Sequence, residues 1–85
     1  MENRIIMGVQ VTNRVKNVQT VQKILTDYGC FIKTRLGLHD VDATMCSPSG
    51  LLLLETYGDE AKIAEMESLL KGVEGLELQK MVFAK

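Results

Sequence analysis

Along residues 4–12 apolar and mixed positions alternate, with Ile5, Met7, Val9 and Val11 on one parity and Ile6, Gly8, Gln10 and Thr12 on the other. That is the period of a half-buried strand. From Asn17 the period lengthens: Val18, Val21, Leu25 and Tyr28 recur at steps of three and four, while Gln19, Lys23 and Asp27 take the remaining surface of an amphipathic helix. Gly29 follows directly and predicts a left-handed helix stop. Period two then returns, with Cys30, Ile32, Leu36 and Leu38 opposite Phe31, Lys33, Arg35 and His39. The stretch Asp42 to Ser49 holds the single proline, Pro48, and ends at Gly50, so it reads as a connecting loop. Leu51 to Tyr57 is a strand apolar on both faces, which predicts a central position. Gly58-Asp59-Glu60 offers a turn and an N-cap, after which Ile63, Met66, Leu70 and Val73 mark a second amphipathic helix. Gly72 and Gly75 bracket its end, and Leu76, Leu78 and Val82, alternating with Glu77, Gln79 and Met81, predict a last strand.

The order is therefore βαββαβ. Two strand–helix–strand units with right-handed crossovers give a four-stranded antiparallel sheet with both helices on one face, a ferredoxin-like α+β sandwich with the first and third strands central. Eighty-five residues allow one domain over 1–85.

This architecture leaves one sheet face without helices. If Ile5, Met7, Val9, Ile32, Leu36, Leu38, Leu76 and Leu78 face the helices, the bare face shows Ile6, Gly8, Gln10, Phe31, Lys33, Arg35, His39, Met81, Phe83 and two leucines of the third strand. Such an apolar patch, on the order of several hundred Å², is large for a soluble monomer and predicts a cover. A second copy of the same face is the simplest one, so a homo-dimer or homo-tetramer is expected.

Composition narrows the chemistry. Ten Lys and Arg against eleven Asp and Glu give a net charge of −1, which excludes a global basic field for nucleic acid. The bare face also lacks paired aromatics for stacking bases. No apolar run approaches the roughly 20 residues of a membrane span, and Met1-Glu2-Asn3-Arg4 opens without a signal-peptide pattern, so a cytoplasmic protein with free Cys30 and Cys46 is expected. His39 is the lone histidine, and no Gly-rich phosphate loop is present, so an enzyme is not expected. His39 and Cys46, with Asp40 and Asp42 between them, form a mixed N, S and O set suited to a divalent transition metal, completed only if two chains share it. Arg14, Lys16 and Lys23 place positive charge at the first strand–helix junction, where a helix N-terminus favours a carboxylate or phosphate.

Asn13-Arg14, Val21-Gln22-Lys23-Ile24-Leu25 with Tyr28-Gly29, Ile32, Arg35-Leu36-Gly37 and Gly72-Val73-Glu74-Gly75-Leu76 together resemble the small iron-only hydrogenase system regulators. The likeness spans the whole chain. These proteins are similar to ACT-type regulatory domains and to the metal-binding C-terminal domain of the nickel-responsive repressor. The resemblance implies an ACT-like regulatory or sensory oligomer near metalloenzyme maturation, with His39 and Cys46 in the region of the repressor's metal ligands. Asn13, Arg14 and Arg35 are the candidate ligand-binding residues, His39 and Cys46 the candidate metal ligands. Any effect on transcription would be indirect, through a protein partner. The alternative is a structural interaction module whose bare sheet docks on a different protein without a ligand.

Overall fold

The computed structural model describes the backbone of residues 3–12, 15–41 and 46–84, and the side chains of 3–12, 15–37 and 50–84. The alternating segment becomes β1 (Arg4–Val11), followed by α1 (Val18–Asp27), a 3-10 turn (Gly29–Phe31), β2 (Ile32–Val41), β3 (Cys46–Thr56), α2 (Glu60–Lys71) and β4 (Glu77–Phe83). The sheet has the order β2-β3-β1-β4, and every neighbouring pair is antiparallel. This agrees with a ferredoxin-like sandwich with β1 and β3 in the centre.

Each helix begins on a side-chain cap. Asn17 Oδ1 accepts from the Thr20 amide at 3.1 Å, and Asp59 Oδ1 from the Ala61 amide at 2.8 Å. Such caps satisfy amides that have no partner within the helix. The end of α1 differs from expectation. Gly29 is not in the left-handed region, where Gly58 and Gly75 are the described glycines; Tyr28 caps α1, its amide bonding the Ile24 carbonyl at 3.0 Å, and the chain tightens into the 3-10 turn.

Both helices press on one sheet face. Ile5, Met7 and Val9 of β1 and Leu54 of β3 are buried with Val21, Ile24 and Leu25 of α1 and Ile63, Met66 and Leu70 of α2. Apolar side chains at helical spacing meet apolar side chains at strand spacing, so one layer contact closes the core. Two polar groups are drawn in. The Thr56 hydroxyl donates to the Ile5 carbonyl at 2.7 Å, and Glu67 on α2 is clamped by Lys71 at 2.9 Å and Lys80 of β4 at 2.8 Å. These two ammonium groups hold the Glu67 carboxyl below the ordinary glutamate value.

Two expectations change at the second and third strands. The register steps from Ile32↔Thr56 to Thr34↔Glu55, so β2 carries an extra residue at Lys33. One extra residue inverts the parity of everything after it. Arg35 rather than Leu36 therefore lies across from buried Leu54, and Leu36 moves to the bare face. Cys46 to Ser49 belong to β3 rather than to a loop, because Val41 pairs with Cys46 beyond the end of β1 at Val11↔Gly50. That stretch of β3 has β2 on one side only, an edge position of the kind in which strands tolerate proline.

Leu54→Ala is expected to lower stability by about 2–5 kcal/mol in urea denaturation, the cost of a cavity at a fully packed position. Because the folded Glu67 carboxyl titrates below its unfolded value, its contribution is complete above the unfolded value and lost as pH falls through the folded one. Glu67→Gln should flatten the acid side of the stability–pH curve, measured by denaturant midpoints across the acid range.

Candidate functional site

The bare sheet face carries Ile6, Gly8 and Gln10 from β1, Leu51, Leu53 and Glu55 from β3, Thr34 and Leu36 from β2, and Glu77, Gln79, Met81 and Phe83 from β4. Its prominent side chains are half exposed: Leu36 at 51%, Met81 at 52% and Phe83 at 50%. The two leucines expected from β3 are Leu51 and Leu53. Phe31 is not on this face: it sits in the 3-10 turn, packed against the core, with its ring centroid 6.4 Å from that of Tyr28. Arg35 is absent from it as well, since the extra residue at Lys33 turns it to the helix side. There its Nη2 donates to Gln22 Oε1 at 3.3 Å.

Polar groups on one corner of the face are partnered. The Thr34 hydroxyl donates to Glu55 Oε1 at 3.1 Å, and Arg4 Nε lies 3.9 Å from Glu55 Oε2. At the opposite corner a hollow of about 290 Å³ opens over Gly8, lined by Gln10, Leu51, Glu77 and Gln79.

A second concavity, about 560 Å³, lies where α1 begins and α2 ends, bounded by Lys16, Asn17, Thr20, Ser68, Leu69 and Glu74. It lies at the strand–helix junction that the positive charge of Lys16 had singled out, and the Lys16 amide bonds the Glu74 carbonyl at 3.1 Å across it. Lys23 takes no part there, because it pairs with Asp27 at 2.8 Å on α1. Asn13 and Arg14 lie outside the described residues. The contribution of Ser68 and Leu69 had no signal in the sequence, where they are ordinary residues on the back of a helix; only the approach of two helix ends brings them to the junction.

The candidate metal ligands lie on one hairpin. His39 pairs with Gly50 and Val41 with Cys46, so β2 and β3 bring the two backbones onto adjacent strands. The side chains of His39 and Cys46 lie outside the described residues. Among the described residues no group of three or more His, Cys, Asp or Glu side chains is gathered in a way that could hold a metal. Cys30 is exposed and free.

On the outer surface the Tyr28 hydroxyl donates to Glu65 Oε1 at 2.7 Å, linking the end of α1 to α2. This bond raises the Tyr28 pKa, and the same bond, helped by Lys62, lowers that of Glu65. It is a latch between the two helices.

No family model and no curated protein matches the chain. Among solved structures the chain resembles the uncharacterized protein TM1266 from Thermotoga maritima, with a TM-score of 0.76 and 21% identity over 95% of this chain and 98% of that one. A formyltetrahydrofolate deformylase from Pseudomonas putida KT2440 shares a TM-score of 0.51 at 11% identity, over 92% of this chain but 28% of that one. At these identities the likeness is one of fold. The molecule is a small α+β domain with a four-stranded antiparallel sheet and two helices, and its fold is related to that of TM1266. Among the described residues no helix is long and apolar enough to cross a membrane.

Leu36→Asp is expected to keep the far-UV circular dichroism and a cooperative thermal transition, whereas Val9→Asp abolishes both by burying a charge without a partner. Equal damage from the two would place Leu36 on the helix side of the sheet.

Proposed function

We propose that this chain is a non-enzymatic regulatory or sensory domain of the ACT-like kind, acting in the cytoplasm, which homo-oligomerises through its bare sheet face and takes a small ligand or a divalent transition metal at the subunit interface. The observation that carries the reading is the bare face itself: Leu36, Met81 and Phe83 are half exposed on the side opposite the helices, together with Ile6, Leu51 and Leu53. Buried, these side chains would gain on the order of 25 cal/mol for each Å² removed from water. A regulatory domain works by changing such a contact when a ligand arrives.

The resemblance to the iron-only hydrogenase system regulators supports a role beside a metalloenzyme system. The βαββαβ order and the sheet order β2-β3-β1-β4 are those of a ferredoxin-like sandwich, which supports the ACT-like reading at the level of fold class alone. His39 and Cys46 on one hairpin are half of a tetrahedral ligand set, and two copies related by symmetry would supply two imidazoles and two thiolates. The cleft at Lys16, between the start of α1 and the end of α2, is a second candidate place for an anionic small ligand, on the helix side and away from the sheet interface. Arg35, hydrogen-bonded to Gln22 on the helix side, stands as a positioning residue for α1.

The alternative, a structural module that docks on a different protein without a ligand, differs in one observable. A ligand that binds only the folded state raises the melting temperature with its concentration. Thermal shift with divalent metals, organic anions and nucleotides is expected to find at least one stabilising compound for a sensor, and none for a purely structural module. For the metal, protein purified without an affinity tag should contain it by elemental analysis and lose it in His39→Ala; equal metal in both would remove His39 from the ligand set. Light scattering during size exclusion is expected to give a multiple of 9.5 kDa, and a 9.5 kDa particle would overturn the assembly.

A further inference from the structure

We infer that Gly8 is the socket of a face-to-face interface between two copies of this chain, filled by an apolar side chain of the second copy. The inference rests on the sheet-mediated assembly proposed above and adds its point of contact. Gly8 lies in the middle of β1, a central strand, paired with Leu53 on one side and Gln79 on the other. Glycine inside a strand weakens it, having no side chain to pack and more backbone freedom to lose on folding. Among the described residues nothing requires glycine at this position. Its φ is not in the left-handed region, and a Cβ added there would meet nothing nearer than 3.9 Å, the ordinary contact distance to the Gln79 carbonyl, Leu51 and Leu53.

Gly8 lines the 290 Å³ hollow together with Leu51 and the polar Gln10, Glu77 and Gln79, on the face that carries Leu36 and Met81 standing half out of the surface. A hollow and a protruding side chain on one face are what a two-fold interface uses, since Leu36 on one edge strand or Met81 on the other can enter the hollow of the second copy. Charge favours a second copy over a charged partner. Among the described residues of the face, Arg4 and Glu55 offset each other and Glu77 is the single carboxylate left without an ion pair. An oppositely charged protein finds almost nothing to attract it, while an identical face meets little repulsion. Size agrees. Four strands about 4.8 Å apart and about seven residues long at about 3.3 Å each span roughly 450 Å² in plan, and a corrugated face exposes more. That is the order of the roughly 600 Å² per partner at the lower end of specific interfaces.

The test is a dilution series of the full chain by analytical ultracentrifugation. Gly8→Leu should raise the dissociation constant at least a hundredfold while the far-UV spectrum stays that of the wild type, and Gln19→Leu on the exposed side of α1 should leave it unchanged. Leu36→Ser and Met81→Ser are the second arm, because these half-exposed side chains can be shortened without opening the core; the one that fills the socket should weaken association at least tenfold. A wild type that stays a single copy at all concentrations overturns the assembly and this inference together. A wild type that associates, with Gly8→Leu associating as tightly or with neither serine variant weakened, overturns the socket and leaves the assembly standing.

Discussion

The pairing of Met7 on β1 with Leu54 on β3, under both helices, is the contact on which the rest of this molecule depends. Both side chains are fully buried, and they sit on the two central strands of the sheet. Around them the apolar stripes of α1 and α2 close the core from above. A domain of 85 residues buries too little surface for a second core layer, so the helices can cover one sheet face and no more. The bare face is therefore a consequence of size and of element order together.

That consequence shapes what the protein can do. Among the described residues His, Cys, Asp and Glu side chains do not gather into a metal cluster; the distinguishing surface is an apolar sheet face with one partnered ionic corner and one hollow. One concavity lies on the helix side, where α1 begins and α2 ends between Lys16 and Leu69, and the other on the bare face over Gly8, so the two open on opposite sides of the sheet.

Much of the fold was legible in the residues because hydrophobic period is a local property. Ile5, Met7 and Val9 had to share a face, Asp59 had to cap what followed it, and four apolar residues in a row at Leu51 had to be central. The departures share a physical character: each depends on a neighbour in space. Gly29 reads as a helix stop, but the chain turns tightly there and the Tyr57 amide bonds the Phe31 carbonyl at 2.8 Å instead. Ile32 and Leu36 have matching parity in the sequence, yet Ile32 faces the core and Leu36 faces away, because β3 accepts an extra residue at Lys33. Of the candidate site, the junction charge at Lys16 and the bare face were visible; the hollow over Gly8 and the share of Ser68 and Leu69 in the cleft were not.

By itself, then, the sequence determined the order of helices and strands, the two central strands, the core stripe of α2 and the existence of an uncovered apolar face. Those follow from periodicity, capping chemistry and chain length. In α1, by contrast, Val18 of the expected stripe is half exposed and Ile24 is buried instead. Only the tertiary structure decided which side chains of β2 look outward, how far β3 runs past Val11, and that a glycine in mid-strand leaves open space rather than a close contact. Register is set by the summed fit of two strands and the layer above them, and no stretch of residues read alone contains that sum.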